Sequence, residues 1–302
     1  MTINISPKNI TEEQKAIILK PIFIVGAGRS GTTWLQRLLL ENTKIIGGQE
    51  THFFRFFNDS LESVINASND SRQVGLSTYW SDADFYMQIR NIWLGTFQAV
   101  INKNTNAKIL IEKTPNHVLN MDTIKKVLPN AKFIHLIRDS RSVVSSLLSA
   151  SKGWGAHWAP NDTKSAAITW WYKYVLAGRA SSLKLSSYDY IEIHYEDLLA
   201  NPVTEIIKIY EFMGIDYDIE NIKKDIDVQA FSKQKKEKGT GLKTAAGDDL
   251  KEPDGFIRKG QADSWKQELN IFQKLVVWRY TRKLMRECGY DWNGRVKIEE
   301  DS

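Results

Sequence analysis

The feature that most constrains the fold is a short apolar run stopped by a glycine turn. Pro21-Ile22-Phe23-Ile24-Val25 is continuous and apolar, the pattern of a strand buried on both faces. Gly26 to Gly31 then form a turn. Thr32 to Glu41 follow as a helix with Trp34, Leu35, Leu38 and Leu39 on one face. Strand, glycine turn and helix in that order read as the first unit of an α/β protein. Further buried strands are expected at 108–112, 132–138 and 188–195, and helices at 118–128, 140–150 and 202–213. Alternation of this kind predicts a central parallel sheet of about five strands flanked by helices.

The rest of the chain sorts around that frame. Residues 1–20 read as a loose lead-in, 55–105 as a mostly helical insertion, and 267–287 as a last amphipathic helix. Residues 233–256 are rich in Lys, Gly and Asp, so a mobile loop is expected there. With no internal repeat, 1–302 reads as one domain. Hydrophobic residues make up 42% and charged residues 25%, which is enough apolar material for one large core. No stretch approaches the roughly 20 apolar residues of a membrane span. The polar start carries no export signal pattern, and Cys288 is the only cysteine, so a reducing, cytoplasmic setting is expected. A net charge of +5 suits an anionic ligand and does not by itself call for nucleic acid.

The turn Gly26-Ala27-Gly28-Arg29-Ser30-Gly31-Thr32-Thr33-Trp34 sits where α/β proteins bind phosphate. Backbone N–H groups and a helix N-terminus present partial positive charge there. Arg29 adds a fixed charge, and Ser30, Thr32 and Thr33 add hydroxyl donors. The Gly-Lys-Ser/Thr of a Walker loop is missing, which disfavours a magnesium-dependent kinase or ATPase. Arg29-Ser30-Gly31-Thr32-Thr33-Trp34 resembles the 5′-phosphosulfate loop of the sulfotransferases, which has Lys or Arg followed by Ser-Gly-Thr-Thr-Trp.

Three further stretches follow in that family's order. Arg138 ends a strand and Ser146 lies eight positions on, the spacing of the family's 3′-phosphate site. Tyr190 to Leu198 with Asn201-Pro202 resembles the strand and helix entry that place a tyrosine, here Tyr195, near adenine. Arg258-Lys259-Gly260, four residues and then Trp265-Lys266 resembles the second 3′-phosphate clamp. Phe231 falls where the family often has a phenylalanine by the base. The resemblance thus implies a P-loop-like fold binding 3′-phosphoadenosine-5′-phosphosulfate (PAPS), with adenosine 3′,5′-bisphosphate (PAP) as product. Its cofactor set would be Arg29, Ser30, Gly31, Thr32, Thr33, Trp34, Arg138, Ser146, Tyr195, Phe231, Arg258, Lys259 and Gly260.

Sulfuryl transfer needs charge stabilisation on the leaving phosphate and, for a hydroxyl acceptor, a base. No His, Cys or carboxylate cluster has metal-ligand spacing, and no metal is expected. Gly48-Gln49-Glu50-Thr51-His52-Phe53-Phe54 resembles the segment that holds the glutamate base of glycan and tyrosylprotein sulfotransferases. Phe53 and Phe54 beside Glu50 are expected to raise its pKa. In Glu112-Lys113-Thr114-Pro115-Asn116-His117, Pro115 stands where the cytosolic small-molecule branch has its catalytic histidine. Glu50 is therefore the expected base and Lys113 its electrostatic helper, with His117 as fallback base or substrate contact and His52 as a wall residue. Trp154 and Trp158 are candidate acceptor contacts, while Trp170 and Trp171 read as packing. The expected acceptor is a small molecule or glycan, a carbohydrate hydroxyl being favoured. The competing readings are a nucleotide kinase and a non-catalytic nucleotide-binding module.

Overall fold

The structure, a computed structural model, describes residues 10–55, 79–230, 239–243, 249–251 and 260–296. Strands β1 (Ile22–Gly26), β2 (Ile45–Gly47), β3 (Ile109–Lys113), β4 (Lys132–Ile137) and β5 (Tyr190–His194) form one sheet. Its order is β2-β3-β1-β4-β5, and every pairing is parallel. The expected fold class is therefore the observed one, with strand ends within two residues of their sequence estimates.

Parallel strands need crossovers, and helices supply them on both faces. Along β1, Phe23 and Val25 face one apolar layer while Ile22 and Ile24 face the other. Phe23 stacks on Phe133 of β4 at 5.7 Å and meets Trp93 at 5.6 Å. Trp93 lies on helix α3 (Asp82–Asn102), within the expected helical insertion. The opposite layer is covered by α2 (Thr32–Leu40) and α8 (Pro202–Met213). Burying each such side chain is worth about 1.5–3 kcal/mol, so the two layers fix the sheet.

Helix α5 (Ser140–Ala150) starts at Asp139, whose carboxylate accepts from the Arg141 amide. Arg141 is fully buried, donating to Asp139 at 2.9 Å and lying 3.8 Å from the Trp265 ring. Two details differ from the sequence reading. The last helix is broken in two, α10 (Trp265–Glu268) and α11 (Ile271–Glu287), because Asn270 and Gln273 form a capping box that starts a new helix. The segment 233–256, expected to be a mobile loop, contains a two-stranded antiparallel ribbon, β6 (Gly239–Lys243) with β7 (Asp249–Lys251); its remainder lies outside the described residues. Among the described residues, no helix is long and apolar enough to cross a membrane.

Candidate active site

The strand order places β1 at the centre, with the chain running first to one side and then to the other. Ligands of open α/β sheets bind at the C-terminal strand ends near such a switch. The glycine turn after β1 lies there. Gly31 has φ +98° and is the N-cap of α2; a Cβ on it would meet the Tyr195 ring at 2.5 Å. Only glycine fits both the backbone and the ring beneath it. Arg29 also takes a left-handed conformation, φ +76°. This costs a non-glycine residue on the order of 1 kcal/mol and turns its side chain towards α5. There Arg29 Nε donates to Ser146 Oγ at 3.1 Å.

Arg138, at the end of β4, closes the same cluster. Its Nη1 donates to the Arg29 carbonyl at 3.2 Å and its Nη2 to the Gln261 carbonyl at 3.0 Å. Its guanidinium lies 4.2 Å from the centre of the Tyr195 ring. Burial raises the Tyr195 pKa, although Arg138 opposes it. Trp34 packs edge-on against Tyr195 at 5.9 Å and donates to the Gln229 carbonyl at 3.2 Å. Arg29, Gly31, Trp34, Arg138, Ser146 and Tyr195 thus come together as one group, although they span more than a hundred residues of chain. Ser142 Oγ holds the Ala262 carbonyl at 2.7 Å, which sets Gly260 and Gln261 against α5. Phe231, Arg258 and Lys259 lie outside the described residues. Ser30 Oγ and Arg138 Nε are buried without a hydrogen-bond partner among the described residues. Polar atoms in that condition are costly unless a ligand or water completes them.

A second cluster sits at the end of β3. Lys113, almost fully buried, donates to Glu50 at 2.6 Å and to Thr33 Oγ1 at 3.2 Å. Thr33 belongs to the first turn of α2, so this pair reaches the phosphate loop directly. Gln36 of α2 donates to the Gly48 carbonyl at 2.7 Å and ties down the chain leading to Glu50. His52 Nε2 stands 3.6 Å from Glu50, and His52 has φ +50°. The expected apolar surroundings of Glu50 are not found. Phe53 and Phe54 turn into the core against Trp93 and Phe23, and Glu50 is instead ion-paired.

His117 does not reach this cleft. It is fully buried; Nδ1 lies 2.9 Å from Glu112 and Nε2 accepts from the Phe54 amide at 3.2 Å. Both ring nitrogens are committed inside the protein, which corrects the expectation of a base or substrate contact. Sequence reasoning missed Glu112 itself. Its buried carboxylate accepts from Thr51 Oγ1 at 2.8 Å and Thr114 Oγ1 at 2.6 Å. Burial alone would push its pKa up, but His117 and the Thr114 and Thr51 hydroxyls outweigh it and bring it down to about 2. A Glu three residues before Pro115 was the available signal, but nothing local marks it as buried.

An aromatic row borders the phosphate loop. Trp154, Trp158, Trp170 and Tyr174 follow one another at 5.3, 5.4 and 5.4 Å. Arg29 lies 5.2 Å from the Trp154 ring, and a Cβ on Gly28 would meet Trp170 Nε1 at 3.0 Å. Trp171 packs in the core as expected, donating to the Arg138 carbonyl at 2.7 Å. Trp170, expected to pack likewise, is half-buried and belongs to the row. It lies in a π-helical stretch, Ala166–Tyr172, which shifts side-chain phase by a fraction of a turn. Among the described residues, no group of three or more His, Cys, Asp or Glu side chains has the arrangement of a metal site.

Comparisons with known proteins agree with this layout. Protein-tyrosine sulfotransferase A of Caenorhabditis elegans is 26% identical over 204 residues, 65% of this chain and 50% of that protein. The omega-hydroxy-beta-dihydromenaquinone-9 sulfotransferase Stf3 of Mycobacterium bovis is 23% identical over 244 residues, 65% of this chain and 63% of its own length. The chain spans about half to two thirds of the length of the curated relatives it matches. Among solved structures, mouse sulfotransferase SULT7A1 complexed with PAP shares the fold with a TM-score of 0.56 at 15% identity. The match covers 91% of this chain and 90% of that one. The profile of the sulfotransferase family matches residues 21–219, and by that match, with the strand order and phosphate loop it covers, the chain belongs to the sulfotransferase family.

Proposed function

We propose that this chain transfers a sulfuryl group from PAPS to an acceptor hydroxyl. The observation that carries the reading is the convergence of Arg29, Ser146 and Arg138 on the loop after β1. That group fits the donor. The first-turn amides of α2 and the Ser30 hydroxyl suit the 5′-phosphosulfate. Arg138 and Ser146 suit the 3′-phosphate, with Arg258, Lys259 and Gly260 as the second clamp. Trp34, Tyr195 and Phe231 are assigned to the adenine side. Ser30 Oγ and Arg138 Nε, which are among the buried polar atoms without partners in the described residues, are ones a bound anion would satisfy.

PAPS supplies the sulfuryl group, and its departure leaves negative charge on the 5′-phosphate. Glu50 takes the proton of the acceptor hydroxyl on its carboxylate as the oxygen attacks. Glu50 lies 2.6 Å from the Lys113 ammonium, and a carboxylate is the kind of group that accepts such a proton. Once Glu50 is neutral, Lys113 loses its ionic partner while keeping Thr33. Its positive charge then stabilises the charge that develops at the phosphate loop. His52 forms the outer wall beside Glu50.

The acceptor is read as a hydroxyl on a flat ring, either a phenol or a sugar, lying against Trp154, Trp158 and Trp170. The named relatives support a hydroxyl: one is named for protein tyrosine and one for omega-hydroxy-beta-dihydromenaquinone-9. Residues 1–302 are read as a single domain acting without a metal. Thermal-shift measurement with PAP, ATP and ATP plus magnesium tests the donor. PAP should raise the melting temperature and ATP with magnesium should not; no effect of PAP would overturn the reading. Radiolabelled PAPS incubated with tyrosine peptides and with oligosaccharides tests the acceptor class.

A further inference from the structure

β3 ends in two adjacent ionisable residues, Glu112 and Lys113, and successive strand residues face opposite sides of the sheet. Lys113 emerges on the side of α2, where it meets Thr33 and Glu50. Glu112 emerges on the other side, where it meets Thr51, Thr114 and His117. The chain at 50–51 therefore crosses the end of the strand and is held on both sides of it.

The hold extends along the backbone. The Thr51 amide donates to Glu112 at 3.2 Å and the His52 amide to Thr114 Oγ1 at 3.3 Å. The Phe53 amide donates to Thr51 Oγ1 at 3.1 Å and the Phe54 amide to His117 Nε2 at 3.2 Å. Four consecutive amides are thus satisfied by side chains that meet at one carboxylate. With Nε2 accepting from Phe54, His117 carries its proton on Nδ1 and donates it to Glu112. These bonds take up the amides that lead into and open the helical residues 53–55, just after a left-handed residue, His52.

We propose that Glu112 is a positioning residue for sulfuryl transfer: its carboxylate, extended by Thr51, Thr114 and His117, fixes residues 51–54 and so holds Glu50 against Lys113 beside the phosphate loop. The role rests on Glu50 being the proton acceptor. Glu112 touches no reacting atom. It acts by keeping Glu50 within hydrogen-bond reach of the acceptor, where a misplacement of about 1 Å is enough to cost rate about a hundredfold.

The test uses Glu112→Gln, Glu50→Gln and the double variant in the full chain. Turnover is read as radiolabelled sulfur leaving PAPS, to unsubstituted phenol or to water, neither of which is ionised at neutral pH. Glu112→Gln should lower kcat about tenfold or more while leaving PAP affinity and the KM for PAPS within about threefold. In the Glu50→Gln background the same change should cost little further, because it acts through Glu50. Additive losses would overturn the proposal. Amide hydrogen exchange provides a readout that needs no acceptor: amides 51–54 should exchange at least about tenfold faster in Glu112→Gln, with 30–34 unchanged. Exchange unchanged at 51–54 would overturn it as well. If Glu112→Gln does not fold, Thr51→Ala removes one arm of the network, and unchanged kcat and exchange in that variant count against the role. Full turnover by Glu50→Gln would instead remove the reading of Glu50 as base; loss in Glu50→Gln without loss in Glu112→Gln would remove only the positioning role.

Discussion

At the scale of single residues, the site divides into atoms that hold charge and atoms that move a proton. Glu50→Gln keeps the shape and a hydrogen bond to Lys113 but cannot take a proton. It should lower kcat about a hundredfold or more while PAP binding, measured by calorimetry, stays within about threefold. Arg138→Ala should do the opposite, raising the KM for PAPS and the dissociation constant of PAP about tenfold or more, since a charge-assisted contact is worth about 1.5–3 kcal/mol. Gly31→Ala places a Cβ 2.5 Å from the Tyr195 ring at a positive φ. It should destabilise the fold by about 2 kcal/mol and weaken PAP binding, read by urea denaturation and calorimetry. The charged residues of the phosphate loop were legible in the sequence because their motif is contiguous and its chemistry is local. Glu112 was not, because its partners Thr51 and His117 become partners only once β3 has met the segment after β2. The pairing of Glu50 with Lys113, across 63 positions, illustrates the same limit. Both residues were singled out, but the ion pair that replaces the expected apolar surroundings is a property of the assembled sheet.

At the scale of elements, β1 and β4 were readable because each is a short, mostly apolar run ended by a polar or glycine turn. Their continuous burial shows why: both faces are covered, and His135 is the one polar side chain inside the two runs. The stretch 163–182 was less legible. A three-residue α-turn, a π-helical stretch and an α-helix succeed one another there, and no capping residue marks the change of phase. The phase shift is what turns Trp170 onto Gly28 while leaving Trp171 in the core. Gly28→Val should press on Trp170 and disturb both donor binding and the aromatic row. We expect weaker PAP binding in this variant and altered quenching of tryptophan fluorescence on PAP addition.

At the scale of the whole molecule, two carboxylates make stability depend on pH with opposite signs. Glu112 has its pKa lowered to about 2, so the folded state binds fewer protons than the unfolded chain between that value and the ordinary carboxylate range. Its contribution is present above that range and is lost as pH falls towards 2. Glu196 is partly buried, accepts from Tyr290 at 2.7 Å and from the Asp139 amide at 3.1 Å, and desolvation with the nearby Asp139 raises its pKa to about 7. The folded state therefore holds an extra proton between the ordinary carboxylate range and about 7, and stability declines as pH rises through that window. The full effect is on the order of 3 kcal/mol. Glu196→Gln should flatten that decline in melting temperature measured across the same range; an unchanged slope would count against the assignment.

The alternation at the end of β3 also bears on how such a chain can change. Glu112 and Lys113 serve different faces only because of their parity along the strand. A substitution at either position alters one side and leaves the other to be selected separately. Insertion or deletion of one residue within β3 would exchange the two, presenting a carboxylate to the phosphate loop and an ammonium to the threonine–histidine network. Point changes at these positions thus act on one face at a time while length changes act on both, and a library of single-codon deletions set beside point variants would expose the difference.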